Sequence, residues 1–162
     1  MAHGDRLRER QDASPRDLLQ QLRADHRDHA RRAGARRVLS RSSSSAASRS
    51  TIILTATGRR TGLARPVTLY AFADGDDLVV VGSRGGAKRD PAWVGNLRAH
   101  PHATVRHGKG GDARPVVARE ATGRNRDRLW DLVTTAFPMY RAFQRRTERT
   151  IPLFALKPAK GG

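Results

Sequence analysis

A chain of 162 residues without cysteine excludes disulfides, thiolate metal sites and cysteine nucleophiles, and its formal charge of +17 calls for an anionic partner. The simplest organisation is one domain plus a tail, and a hydrophobic fraction of 37% allows one modest core. No apolar run approaches the roughly 18 residues of a membrane span, and the N-terminus lacks the apolar stretch of a secretory signal, so a cytoplasmic setting is expected.

Residues 1–50 read as a basic, Ser/Arg-rich N-terminal segment, partly helical or disordered. Ser14-Pro15 starts a candidate helix with Leu18, Leu19 and Leu22 as a thin apolar stripe, running to about Arg32. The Ser-rich run Arg41 to Ser50 reads as a linker. From residue 51 to 160 the pattern turns β-rich. Strands are expected at Thr51–Thr57, Val67–Ala73 and Leu78–Gly82, the last two joined by a hairpin turn at Asp74-Gly75-Asp76-Asp77. Pro91 starts a helix that runs through Arg98, and Pro101 stops it. Thr104–His107 and Pro115–Glu120 form a further pair of strands. A helix follows over Gly123–Ala136, then a short one after Pro138, and Ile151–Leu156 closes the domain as a strand. The fold class is therefore mainly β with helices (α+β), a closed or half-closed antiparallel barrel.

Three constellations carry the chemistry. The turn Thr57-Gly58-Arg59-Arg60-Thr61-Gly62, with Arg65 following, places three guanidinium groups between two strands, where they suit phosphate and carboxylate oxygens. It lacks the Gly-Lys-Ser/Thr ending of a P-loop and the GxGxxG dinucleotide fingerprint. The loop Gly82-Ser83-Arg84-Gly85-Gly86 runs on to Pro91-Ala92-Trp93, a helix start whose N–H groups and positive dipole end favour an anion. Trp93 either covers a planar ring or fills the core. Phe137, Tyr140 and Phe143, at spacing three, share one helix face that either packs inward or lines a site, and Tyr140 alone carries a hydroxyl. His26, His29, His100, His102 and His107 lack a carboxylate partner at metal-ligand spacing, so no metal is expected. No Ser–His–Asp set or carboxylate dyad appears.

These residues resemble the deazaflavin (F420)-dependent nitroreductase and F420H2-dependent quinone reductase family. The resemblance spans roughly Ile52 to Pro158 and rests on LTATGRRTGLAR, DGDDLVVVGSRGGAKRDPAWVGNLRAHP, the RDRLW of Arg126 to Trp130, FPMYRAFQRRTERTIP and LFALKP, in that order. It implies a split β-barrel of the FMN-binding type that binds coenzyme F420 without a metal. By the same resemblance Arg59, Arg60, Thr61 and Arg65 would grip the cofactor's phosphate and polyglutamate tail. Val81, Gly82, Ser83, Arg84, Ala92, Trp93 and Asn96 would flank the deazaflavin ring. A planar substrate would lie near Tyr70, Ser83, Phe137, Tyr140 and Phe143, with Tyr140, then Ser83, as proton donor to a quinone or nitroaromatic reduced by hydride transfer.

The chain departs from the family pattern where members often read PAWYHNL, because it carries Val94 and Gly95 there. Its N-terminal segment also differs, and peripheral contact of that segment with anionic membrane is a hypothesis. Two rival readings remain at this stage. One is a basic nucleic-acid-binding module, which net charge favours but no recognisable motif supports. The other is a split barrel using FMN or a haem-derived ligand. Sequence fixes neither the physiological substrate nor the oligomeric state.

Overall fold

The structure is a computed structural model that describes residues 47–160. The expected helix near residues 15–32 and most of the Ser-rich linker lie outside the described residues. Arg49 and Ser50, assigned by composition to that linker, instead open the first strand, because their backbones continue the ladder opposite Phe72 and Ala71.

Strand β1 (Arg49–Thr57) buries Ile52, Leu54 and Ala56 on alternate positions, the period-two pattern of a sheet with one packed face. It pairs antiparallel with β2 (Ala64–Asp74) from Arg49↔Phe72 to Thr57↔Ala64. The expected hairpin at Asp74-Gly75-Asp76-Asp77 leads into β3 (Asp77–Val81), with Asp74 opposite Asp77. Strands β4 (His102–His107) and β5 (Arg114–Glu120) form a second hairpin, and β6 (Leu153–Pro158) completes the set. The order β1-β2-β3-β6-β5-β4 closes on itself through the β1–β4 pairing, with every neighbour antiparallel. Closure satisfies strand edges that an open sheet would leave to water or to another chain.

Helix α1 (Ala92–Ala99) contributes Trp93, Val94 and Leu97 to the same cluster as the inward side chains Ile52, Leu54, Val80, Val105, Val116, Phe154 and Leu156. The barrel core is thus plugged by a helix and is not a ligand channel. Helix α2 (Gly123–Ala136) has the bounds its apolar spacing predicts and buries Leu129 and Val133. Helix α3 (Met139–Arg145) follows Pro138. Leu153 to Leu156 of β6 are all buried because Phe154 and Leu156 join the barrel core while α2 packs on the strand. Truncating a fully buried leucine such as Leu129 or Leu156 to alanine costs about 2–5 kcal/mol in such an environment.

Candidate functional site

The β1–β2 turn is closed by Gly58 N–H to Leu63 O (2.8 Å) and Gly62 N–H to Gly58 O (2.8 Å). Its first arginine is tied to α1. Arg59 donates its backbone N–H to Asn96 Oδ1 (3.1 Å) and its Nη1 to Asn96 Oδ1 (3.3 Å) and Ala92 O (3.4 Å). Its guanidinium therefore lies along α1, where a Cβ on Gly95 would stand 2.9 Å from Nη1. A glycine at this position makes room for the contact. Arg60 is exposed, and Arg65 donates to Thr61 Oγ1 (3.4 Å). Among the described residues neither has a carboxylate partner.

At the end of β3, Gly82 N–H donates to Pro152 O (2.8 Å) and the chain enters a short 3-10 turn, Arg84–Gly86. Ser83 has right-handed torsions (φ −76°, ψ −41°), whereas Arg84 has φ 44° and is the one non-glycine residue with positive φ among the described residues. A right-handed residue followed by a left-handed one turns successive N–H groups to one side, the concave arrangement that binds anions. Within this turn Gly86 N–H bonds Ser83 O (2.8 Å) and Ala87 N–H bonds Arg84 O (3.1 Å), while the N–H groups of Ser83, Arg84 and Gly85 make no backbone hydrogen bond among the described residues. Gly86, at φ 82°, sits against α3: an added Cβ would overlap the Phe143 carbonyl oxygen and lie 2.9 Å from Arg146 Cβ.

Beneath this turn lies Arg149, a residue that sequence reading passed over. It donates Nε to Ala87 O (2.7 Å), Nη1 to Gly82 O (3.1 Å) and Asp90 Oδ1 (2.7 Å), and Nη2 to Ser83 O (2.8 Å). Burial holds its pKa below the ordinary arginine value, opposed by Asp90 and assisted by the nearby charge of Arg84. Asp90 also accepts from Arg98 (3.1 Å), which in turn pairs with Glu120 (2.6 Å). Gln144 fixes the backbone around Arg149, donating to its carbonyl (2.7 Å) and accepting from Ile151 N–H (3.0 Å). With twenty-eight arginines in the chain, no local pattern marks this one; its partners lie 59 to 67 positions away.

The aromatic residues form one cluster. Tyr70 meets Phe137 at 5.9 Å between ring centroids, Phe137 meets Tyr140 at 5.0 Å, and Tyr140 meets Phe143 at 6.2 Å and Phe72 at 5.8 Å, all edge to face. Arg49, also unflagged by sequence, stacks its guanidinium 4.7 Å from the Tyr70 ring and 5.3 Å from the Phe137 ring. Tyr140 is 5% exposed, and its burial pushes the phenol above its ordinary pKa, with Tyr70 adding to the rise and Arg49 opposing it. At neutral pH the group is a phenol and a donor.

The structure joins the turn to α1 through Arg59, Ala92 and Asn96, and joins the Ser83–Gly86 segment to α3 through Gly86 and Phe143. Val81 and Gly82 lead directly into that segment, and both are buried. Trp93 is 6% exposed and its indole meets Phe154 at 5.9 Å, so its ring belongs to the barrel core. A cavity of about 300 Å³ at the opposite end of β3 is lined by Asp74, Asp77, Glu120, Arg128 and Lys157 among others, and by none of the predicted site residues. Among the described residues no three His, Asp or Glu side chains are placed to share a metal ion.

Comparison with known proteins shows the family. The family model described as F420H(2)-dependent quinone reductase matches residues 25–158. The F420H(2)-dependent quinone reductase Rv1261c of Mycobacterium tuberculosis is 34% identical over 65% of this chain and 71% of its own. The putative F420H(2)-dependent quinone reductase Rv3178 of the same species is 32% identical over 67% of this chain and 89% of its own. Among solved structures, an F420-H2 dependent reductase (FDR-A) superposes with TM-score 0.60 at 32% identity, covering 66% of this chain and 93% of that one. The haem storage protein HutZ of Vibrio cholerae, at 12% identity and TM-score 0.52 over 68% of this chain and 82% of that one, shares the fold alone. The split barrel, the arginine-bearing turn and this match over most of the chain lead to one conclusion: the chain belongs to the F420H(2)-dependent quinone reductase family, oxidoreductases that use coenzyme F420.

Proposed function

We propose that the chain transfers a hydride from reduced F420 to a planar electrophile such as a quinone or nitroaromatic, at the face shared by the β1–β2 turn, the Ser83–Gly86 turn and α3. The observation that carries this reading is a set of cations without counter-charges. Arg60, Arg65, Arg84, Lys88 and Arg89 have no carboxylate partner among the described residues. Arg84, Lys88 and Arg89 lie in or just after a turn whose N–H groups at Ser83, Arg84 and Gly85 are left unbonded by the backbone among the described residues, while Arg60 belongs to the β1–β2 turn and Arg65 follows it at the start of β2. Such a surface fits an acceptor-rich polyanion and repels a cationic one.

In this reading Arg60, Thr61 and Arg65 hold the cofactor's charged tail, and Arg59 acts through Asn96 and Ala92 to hold the turn against α1. Val81, Gly82, Ser83, Arg84 and the start of α1 from Ala92 to Asn96 border the ring, Trp93 supporting that border from the core. Once bound, deazaflavin supplies the two-electron hydride chemistry. The protein supplies position and a proton. A flat substrate lies near Tyr70, Phe137 and Phe143, against the border of their cluster. Tyr140, protonated at neutral pH, donates to the oxygen on which negative charge develops, and Ser83 is the second donor.

The test is steady-state oxidation of reduced F420 against quinones, nitroaromatics and enones. Turnover is expected with at least one planar class. Replacing Tyr140 with phenylalanine should lower kcat by roughly 10²–10⁴ while leaving F420 affinity in place. Unchanged kcat would remove Tyr140 from the proton-donor role.

A further inference from the structure

We propose that Arg149 is a positioning residue for the cofactor: its guanidinium holds the Gly82–Asp90 segment in the shape that presents Ser83 and the unbonded N–H groups to F420. The inference rests on the binding reading above and adds a residue to it. Four hydrogen bonds converge on the segment from this one side chain, three of them to backbone carbonyls of Gly82, Ser83 and Ala87. The fourth, to Asp90, fixes the segment's far end (2.7 Å), and the side chain is 15% exposed.

Such a clamp has a physical task. Arg84 lies in the left-handed region at φ 44°, followed by Gly85 at 64° and Gly86 at 82°. A non-glycine residue is held there only when its surroundings over-determine the backbone. The carbonyls that Arg149 gathers belong to residues on both sides of Arg84, so the guanidinium fixes the turn from both flanks. Its planar fork reaches several acceptors at fixed angles, which the single ammonium of lysine does not reproduce. With the carbonyls turned toward Arg149, the N–H groups of Ser83 and Arg84 are free to face a ligand. Gln144 holds Arg149 by its own backbone, so the clamp is anchored on α3, the helix that carries Tyr140.

The experiment compares wild type, Arg149→Lys, Arg149→Gln and, as a control, Arg98→Gln, which loses contacts to Asp90 and Glu120 but touches no carbonyl of the turn. Amide hydrogen exchange of the cofactor-free protein is read first. Both Arg149 variants should lose protection at Gly86 and Ala87 while the barrel strands keep theirs. F420 affinity is then measured by fluorescence titration, where the turn's competent fraction falling to about a tenth raises the apparent Kd roughly tenfold. Arg98→Gln should lower the unfolding temperature and leave the Kd near wild type. Millimolar guanidinium ion should restore part of the affinity of Arg149→Gln. If the Arg149 variants fold, melt lower and bind F420 as wild type does, with protection at Gly86 and Ala87 intact, the inference is overturned. Should wild type itself fail to bind F420, the binding reading falls, and exchange at Gly86 and Ala87 still decides whether Arg149 holds the turn.

Discussion

At single positions the site depends on side chains that face inward as much as on those that face the ligand. Asn96 is 6% exposed and its amide oxygen accepts two donors of Arg59. Replacing it with alanine leaves the part-buried Arg59 N–H without its acceptor and the guanidinium with only the long contact to Ala92 O, a loss of about 1–3 kcal/mol. The expected result in urea titration is a lower midpoint with unchanged slope. Gly86→Ala should be more damaging, because the new methyl overlaps the Phe143 carbonyl at a positive φ. Steric overlap and backbone strain together are expected to cost at least about 2 kcal/mol, or to displace α3 and with it the Tyr140 phenol. A thermal melt combined with kcat separates the two outcomes. Arg60, between Gly58 and Gly62, and Arg65, just after them, were expected from sequence to meet an anion, and among the described residues neither has a carboxylate partner. Arg59 looked equivalent, yet its partners are 33 and 37 positions away, and no spacing rule reveals such a contact.

Elements were read more accurately than their neighbours. Short runs of β-branched and apolar residues located the strands, and α2 has its expected ends, because such patterns are local properties. The closing pair β1–β4 and the insertion of β6 between β3 and β5 were not legible, since pairing is decided by the shared core. The aromatic stripe shows the same limit. Phe137, Tyr140 and Phe143 do share a face, but spacing could not reveal that Tyr70, Phe72 and Arg49 complete the cluster. Helices and strands are also tied by charge. Arg128 of α2 bonds Asp74 at the end of β2 and holds its carboxyl below the ordinary carboxylate range; Arg98 of α1 does the same to Glu120 at the end of β5. A lowered folded pKa means that stabilisation is complete above the unfolded value and vanishes as pH falls through the folded value. Unfolding free energy should therefore decline on acidification below about pH 4.5, by ~0.2–1 kcal/mol per partly exposed pair. In the combined Asp74→Asn and Glu120→Gln variant that decline should be shallower. An equal decline would assign acid sensitivity to other groups.

For the whole molecule, a charge of +17 on 162 residues makes weak, salt-sensitive attraction to any polyanion inevitable, so such attraction identifies no partner. Shape and placement of the unpaired cations discriminate where net charge does not. Among the described residues no helix is long and apolar enough to cross a membrane. The most direct measurement is fluorescence titration of wild type and Arg60→Ala with F420 and with FMN at several salt concentrations. A polyanion held by Arg60 and Arg65 predicts saturable, near-stoichiometric F420 binding, poor FMN binding, and a weaker, less salt-dependent Kd in the variant. Equal affinity for both flavins, with Arg60→Ala indistinguishable from wild type, would contradict the account.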